Sequence, residues 1–289
     1  MKSNSILFVG CGDLGARSGA LLLERGWQVA GLRREPARLP PGFVGFAGDY
    51  TVPGSLDFIA ALQPDFVVAT ANPSDRSVEG YHRGFTQGAQ NLLAGLGGHT
   101  PRAILWVSST RVYAERDGGW VDETSALSVD DPRAVAMVAA EQLLLGSPLQ
   151  ACVIRFAGIY GYPGGHLLER IRRGELSPPQ PPRYSNRIHR DDCAGFLCHL
   201  LERACVGAAL APVYNGVDDL PAAQFEVDTW LAAALGVPAT PPEIQRPVFP
   251  EAMRDGHKRC SNRLLHASGY TLQYPDYRSG YRAVLGVAQ

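Results

Sequence analysis

The stretch ILFVGCGDLGARSGALLLERG, residues 6–26, decides the fold of this chain. Four apolar residues lead into glycines in G-x-G-x-x-G order, and a helical pattern begins at Asp13. Such glycines allow a tight turn and let the backbone approach a pyrophosphate at a helix N-terminus. A glycine turn without a ligand is the alternative. We expect contacts to a dinucleotide from Gly10, Gly12, Asp13, Leu14 and Gly15.

Short apolar runs alternate with helical patterns through the first half of the chain. The predicted strands are residues 5–10, 27–32, 42–49, 65–70 and 102–109, and the predicted helices include 81–96 and 135–145. Such alternation, with nearly continuous apolar strands, is typical of a parallel sheet covered by helices on both faces. We therefore predict an α/β fold, a Rossmann-type doubly wound parallel sheet with a small C-terminal substrate lobe.

The composition of the sequence changes after Gly161, where proline-rich segments such as 175–187 and 239–253 begin. Proline removes backbone donors and breaks helices, so these segments are predicted loops or edges of a smaller lobe. The expected division is an NAD(P)-binding Rossmann domain over residues 1–160 and a mostly substrate-binding lobe over 161–289. Strands near 188–216 are expected to return to the first domain.

Composition excludes several classes of protein. The 289 residues are 45% hydrophobic and 19% charged, as in a compact globular protein, and the formal net charge of -1 gives no field that would attract nucleic acid or an anionic membrane.

The apolar run behind the short leader is too brief for a signal peptide or a membrane span, which predicts a cytoplasmic location. Six cysteines without metal-ligand spacing predict reduced thiols and no metal site.

The end of the second predicted strand indicates which cofactor binds. NAD sites present an acidic residue there to the ribose hydroxyls, whereas this chain has Arg33 and Arg34, which suit a 2′-phosphate. NADP is therefore the expected cofactor, with NAD as the alternative, in which case both arginines are only solvated surface residues. Asp49, after the third strand, could face the adenine or simply close a turn.

Further motifs follow the glycine turn in a fixed order: VSSTRVYA, VDETS, VIRFAGIYG, NRIHRDD and YNGVDD. With them the chain resembles the extended short-chain dehydrogenase/reductases, and most closely an atypical subgroup of NAD-dependent epimerase/dehydratase-like proteins. The resemblance covers nearly the whole chain. It adds Ala71, Ser108 and Tyr160 to the expected cofactor-binding residues. It also implies a homodimer, paired through a helix that includes residues 136–145.

The resemblance implies a catalytic serine followed by a Y-x-x-x-K dyad. Ser109 occupies the serine position. When the helix is aligned with the family motif at Glu141, Arg133 and Met137 fall at the tyrosine and lysine positions of the dyad. No tyrosine occurs between Tyr113 and Tyr160, so shifting the alignment does not restore the dyad. Arginine stays protonated and methionine has no proton to exchange, so neither performs general acid/base chemistry near neutral pH. Both positions are expected to line the cofactor cleft.

Other residues could replace the missing dyad. Tyr113, on the same loop as Ser109, is the most plausible substitute acid and substrate contact, helped by the charge of Arg133; because no base for it is visible, packing or a simple hydrogen bond to a ligand is the favoured alternative. Arg187 is expected to pair with a phosphate or carboxylate of a small-molecule ligand. His189 is expected near the substrate, or else to secure backbone groups in its turn. Two functions remain: an NADP-dependent epimerase, dehydratase or reductase, and a non-catalytic redox or metabolite sensor.

Overall fold

The computed structural model describes residues 3–238 and 257–286. Seven parallel strands form the central sheet in the order β3-β2-β1-β4-β5-β7-β11. Their bounds are β1 Ser5–Val9, β2 Gln28–Arg33, β3 Val44–Ala47, β4 Phe66–Ala69, β5 Ala103–Ser109, β7 Ala151–Phe156 and β11 Val213–Gly216. The strand order reverses beside β1, which pairs with β2 on one side and β4 on the other. In such sheets a ligand-binding crevice opens at the carboxyl ends of the strands on either side of this reversal.

The helices follow the apolar periodicity of the sequence. They are α1 Asp13–Glu24, α2 Ile59–Leu62, α3 Val78–Tyr81, α4 Gly88–Gly95, α5 Pro132–Leu145, α6 His166–Arg172, α7 Arg190–Cys205, α8 Gln224–Leu235, α9 Arg263–Ala267 and α10 Tyr277–Leu285. A π-helical segment, His82–Gln87, joins α3 to α4. In α1 the buried residues are Gly15, Ser18, Gly19 and Leu22, which repeat at the spacing of one helix face.

The chain divides into two compact units, each built from several segments. Within the described residues, the first unit comprises 3–112, 127–155 and 194–214, and the second comprises 113–126, 156–193, 215–238 and 257–286. The second unit contains three two-stranded pairings: β8 Gly158–Tyr160 with β10 Arg187–His189, β9 Tyr184–Ser185 with β12 Ala222–Ala223, and β6 Trp120–Val121 with β13 Arg259–Cys260. Its core includes Tyr160, Ile171, Leu231, Tyr277 and Tyr281.

The predicted Rossmann-type fold is confirmed. All five strands and both helices expected in the first half lie within a few residues of their predicted positions, and α5 begins at Pro132 behind an Asp131 cap. The short strand β8 follows β7 after a single residue, Ala157. The proline-rich stretch 239–253 lies outside the described residues. Within the described part of the chain, every helix falls short of the length and apolar character that a membrane crossing demands.

Candidate functional site

A cavity of about 300 Å³ opens in the first unit at the carboxyl ends of β1 to β4. Each wall comes from a loop that follows one of these strands. The lining residues are Gly10, Cys11, Gly12, Leu32, Arg33, Arg34, Glu35, Arg38, Gly48, Asp49, Tyr50, Thr51, Thr70, Asn72, Pro73 and Ser74. The cavity therefore brings together the predicted glycine turn, both predicted arginines and Asp49.

The glycines of the turn are required for three different reasons. Gly10 has φ +72°, a left-handed conformation that side chains rarely adopt. A Cβ at Gly15 would lie 3.2 Å from the Cys11 Sγ and 3.4 Å from the Phe8 ring. A Cβ at Gly12 would meet nothing closer than the Gly10 oxygen at 3.8 Å. The protein itself leaves room for a side chain at Gly12, so the bare backbone there fits the close approach of a pyrophosphate.

Hydrogen bonds fix the floor of the cavity. The Thr70 hydroxyl donates to the Gly10 carbonyl oxygen at 2.6 Å. The Tyr50 hydroxyl donates to the Asn72 carbonyl oxygen at 2.9 Å and accepts from the Asn72 N–H at 3.0 Å. Burial raises the pKa of Tyr50, and it raises the pKa of the Cys11 thiol to about 12. The phenol and the thiol are therefore neutral at physiological pH.

The N-terminus of α1 faces the same turn. Gly12 is its cap residue, and among the described residues no side-chain cap bonds to the first turn. The first-turn Asp13 points its carboxylate at Arg17, with Oδ2 and Nε 3.1 Å apart. An uncapped helix N-terminus offers backbone donors and a partial positive charge to an anion.

The wall at the end of β2 is basic. The Arg33 Nη1 donates to the Arg38 carbonyl oxygen at 3.2 Å, and the Arg38 Nε lies 3.0 Å from Glu35. Among the described residues, Arg34 has no hydrogen-bond or ion-pair partner. Asp49 lines the cavity, but its Oδ1 also accepts from the Thr51 N–H and hydroxyl at 3.0 and 2.7 Å. Asp49 thus closes a turn as well as facing the cavity.

Other predicted cofactor residues lie outside the cavity lining. Asp13, Leu14 and Gly15 belong to the first turn of α1, below the glycine loop. Ala71 is buried directly after Thr70. Tyr160 belongs to the second unit, where its ring stacks on Tyr281 and its hydroxyl donates to the Asp276 carbonyl oxygen at 3.3 Å. These contacts place the Tyr160 ring in the packing of the second unit.

Ser108 is part of a buried polar group instead of a cavity wall. Its hydroxyl donates to the Glu141 Oε1 at 2.5 Å, and the Glu141 Oε2 lies 2.6 Å from the Arg155 Nη2. The Arg155 Nε also donates to the same carboxylate at 3.1 Å. These three residues link β5, α5 and β7 inside the first unit. Ser108 therefore has a structural partner, which its expected cofactor role did not include.

Tyr113 lies in the interior of the second unit, contrary to the expectation that it faces a substrate. Its side chain is 0% exposed, and its hydroxyl donates to the Asn215 Oδ1 at 2.6 Å. Ser109 is half-buried, and its hydroxyl oxygen accepts from the Arg111 N–H at 3.2 Å. A phenol that is enclosed and already donating its proton to an amide oxygen is not placed to act as an external acid.

The two dyad positions differ in exposure. Arg133 is half-buried in the first turn of α5, whereas Met137 is 1% exposed and packed inside the protein. Neither residue lines the 300 Å³ cavity. The expectation that both face an open cleft is therefore wrong for Met137.

Arg187 and His189 lie on β10 in the second unit, and both are buried. Arg187 lines a separate cavity of about 390 Å³. The His189 Nδ1 accepts from the Asp191 N–H at 3.2 Å, and the ring packs against Tyr160 and Tyr274. His189 thus secures backbone at the start of α7, the role given above as its alternative.

Several lining residues were not expected from the sequence. Arg38, Tyr50, Thr70 and Asn72 all contribute to the first cavity. Thr70 and Asn72 follow β4, whose carboxyl end lies beside the glycine turn, so the rule for open sheets could have identified them once β4 was placed next to β1. Tyr50 has no local signal, because its role depends on its hydrogen bond to Asn72.

Comparisons with known proteins agree with this geometry. A profile of the NAD(P)H-binding family matches residues 10–204. A Methylobacillus flagellatus protein attributed to the NAD-dependent epimerases/dehydratases is 34% identical, with a TM-score of 0.83 over 99% of this chain and 98% of that one. The human epimerase family protein SDR39U1, solved with NADPH, is 24% identical, with a TM-score of 0.76 over 98% and 99% of the two chains.

More distant similarity extends to sugar-nucleotide enzymes. The UDP-glucose 4-epimerase of Thermus thermophilus, solved with NAD, is 20% identical, with a TM-score of 0.75 over 98% of each chain. At this level of identity, as for the human protein, the similarity shows the fold alone. The comparison with curated proteins gives no match.

Proposed function

Because this chain belongs to the NAD(P)H-binding family and is an epimerase/dehydratase-like member of it, we propose that it is an NADP-preferring protein that acts on or senses a small metabolite. The first cavity supports dinucleotide binding through the bare backbone at Gly12 and the uncapped N-terminus of α1. The chain's own residues would hold the pyrophosphate at this turn. When bound, the nicotinamide supplies hydride-transfer chemistry.

The preference for NADP rests on one observation, the arginine wall at the end of β2. Arg33, Arg34 and Arg38 all line the cavity there. Arg34 has no partner among the described residues, and Glu35, the acidic residue in this wall, is held by Arg38. A guanidinium without a partner is suited to a 2′-phosphate, which carries charge that the NAD ribose lacks. The human relative solved with NADPH is in line with this proposal.

Equilibrium titrations with NADPH and NADH test the preference. We expect the wild type to bind NADPH more tightly, and Arg34→Ala and Arg33→Ala each to weaken NADPH binding about tenfold to hundredfold, the effect of a charge-assisted hydrogen bond. Binding of NADH should change little. The matched control is Arg173→Ala, which removes the same charge from an exposed ion pair with Glu175 in the second unit. Equal affinities for the two nucleotides in the wild type would refute the preference.

If the protein is an enzyme, Arg133 and Met137 stand where the family has its catalytic tyrosine and lysine. Ser109, which is half-buried, is then the family serine that the chain retains. Arg133 could orient an anionic group but not exchange a proton near neutral pH. The chain's contribution would then be binding and orientation, with proton exchange left to a group other than Tyr113.

A second function, that of a non-catalytic sensor, is favoured by the position of Tyr113. The phenol expected as substitute acid is enclosed and bonded to Asn215. A discriminating measurement is NADPH oxidation in a metabolite extract, followed by absorbance. Firm NADPH binding without metabolite-dependent oxidation would support the sensor. Oxidation that depends on the added protein and survives Tyr113→Phe would support an enzyme with another acid.

A further inference from the structure

Arg187 is a buried cation with an unused donor. It is 5% exposed, at the start of β10. Its Nη2 donates to the Ser185 hydroxyl oxygen at 2.8 Å and to the Gln224 Oε1 at 3.1 Å, while its Nη1 has no hydrogen-bond partner among the described residues. The guanidinium carbon lies 5.6 Å from the centre of the Tyr277 ring. A buried donor without a partner is costly, and more so when it is charged.

The acidic residues nearby form no ion pair with Arg187, although the charge of Arg187 acts to lower the pKa of Asp218 against the larger effect of burial. Asp218 donates its backbone N–H to the Arg187 carbonyl oxygen at 2.8 Å, yet its carboxyl forms no ion pair with the guanidinium. Burial holds the pKa of Asp218 well above its ordinary value, which disfavours the negative form. Asp228 is engaged by Arg170, with contacts of 2.7 and 2.8 Å. Arg187 therefore keeps its charge without a matching carboxylate.

The cavity at Arg187 is suited to a small anion. Its volume is about 390 Å³, and its walls include Ser185, Gln224, Tyr281 and the exposed His166. Among the described residues, no aspartate or glutamate lines it. The hydroxyl of Ser185, the amide of Gln224 and the guanidinium of Arg187 therefore belong to residues that line one cavity, and the described lining of this cavity contains no carboxylate that would repel an anion.

We propose that Arg187 is the centre of an oxyanion site in the second unit, which takes the carboxylate or phosphate group of a small metabolite. The guanidinium would bind the anion where Arg187 lines the cavity, while Ser185 and Gln224 hold it in place through Nη2. This deepens the proposed function and rests on it only in assigning the anion to the metabolite. The site itself can be tested without a dinucleotide.

The test is calorimetric titration of the full-length protein with inorganic phosphate and, separately, with malonate, at constant ionic strength. We expect one of the two to bind, and its identity to distinguish a phosphate from a carboxylate ligand. Arg187→Met should weaken that binding about tenfold or more, since it removes a charge-assisted hydrogen bond. Arg187→Lys should weaken it less, because the charge remains. The control is Arg172→Met, an exposed arginine of α6 that does not line the cavity.

Two further measurements accompany the titration: the melting temperature of Arg187→Met and the binding of NADPH. Arg187→Met should change the melting temperature little, because it loses the two Nη2 hydrogen bonds but also removes a buried charge that forms no ion pair. A large fall in its melting temperature would show that the guanidinium serves the fold, through Ser185, Gln224 or Asp218, and would overturn the proposal. So would a wild type that binds neither probe. Anion binding without NADPH binding would leave the site standing and reject the proposed function alone.

Discussion

Glu141 and Arg155 form an ion pair inside the first unit, with their closest atoms 2.6 Å apart and both side chains almost fully buried. The Ser108 hydroxyl satisfies the other carboxylate oxygen. Removing one member would leave an uncompensated charge in the interior. We expect Glu141→Ala to lower the free energy of unfolding by roughly 3–5 kcal/mol in a urea titration.

Replacing both Glu141 and Arg155 should lower the free energy of unfolding less than replacing one of them, because no unpaired charge is then left in the interior. The double variant Glu141→Met with Arg155→Met is expected to recover most of the loss. Arg173→Ala, which breaks an exposed pair, should change stability little. Single and double variants of equal stability would show that the pair contributes through packing rather than charge.

Substitutions at two glycines of the turn should affect cofactor binding and protein stability separately. Gly12→Val should leave the free energy of unfolding nearly unchanged, since a Cβ there would meet only the Gly10 oxygen, at ordinary van der Waals distance, but should weaken NADPH binding by about tenfold or more by filling the phosphate position. Gly15→Val should instead lower stability by about 1–3 kcal/mol, because its side chain would press on Cys11 and Phe8. Urea unfolding and NADPH titration of both variants measure these effects.

The control for this pair is Gly164→Val, at an exposed glycine with open space around it in the second unit. It should alter neither property. If Gly12→Val binds NADPH as well as the wild type, the space above Gly12 is not where the pyrophosphate lies.

Restoring a lysine at position 137 should damage the fold. Met137 is 1% exposed, so Met137→Lys would bury an ammonium group and is expected to lower the free energy of unfolding by roughly 2–5 kcal/mol. Val135, on the same helix, is 41% exposed and provides the matched control, because Val135→Lys places the charge in solvent. A Met137→Lys variant as stable as Val135→Lys would mean that the position opens to solvent.

The buried carboxyl of Asp218 should make stability depend on pH. Its folded pKa is raised by burial, so between its ordinary value of about 3.9 and its folded value the unfolded chain releases a proton that the folded protein retains. Stability contributed by this group is therefore complete below the unfolded pKa and is lost as pH rises. Asp218→Asn should be more stable than the wild type at pH 7, with the difference shrinking toward pH 4.

Comparison with Asp130→Asn, at an exposed carboxyl, corrects for the loss of one negative charge. Urea titrations at several pH values provide the curve. A difference between the wild type and Asp218→Asn that grows as pH falls would contradict the assigned direction.

Local sequence was sufficient for the part of the site that lies at strand ends. Gly10, Gly12, Arg33, Arg34 and Asp49 each follow a strand whose apolar run is visible in the sequence, and parallel strands bring their carboxyl ends to one edge. The fold followed from the same pattern.

Burial of single polar residues could not be predicted in this way. Tyr113 and Ser108 sit at family positions, but whether each faces a cavity depends on Asn215 and Glu141, which are 102 and 33 residues away in sequence. Met137 is similar, because a helix pattern shows which residues share a face but not what covers that face. Arg187 was recognised as an anion contact by residue type, whereas its unused donor is visible only in three dimensions.

Cys11 has a consequence for how the cofactor cavity would respond to its surroundings. The thiol borders the glycine turn, and its pKa of about 12 means that the thiolate is almost never present at physiological pH. The thiolate, not the neutral thiol, is the nucleophile that reacts with peroxide and alkylating reagents. The cavity thus carries a sulfur atom that is expected to react slowly with oxidants and alkylating reagents.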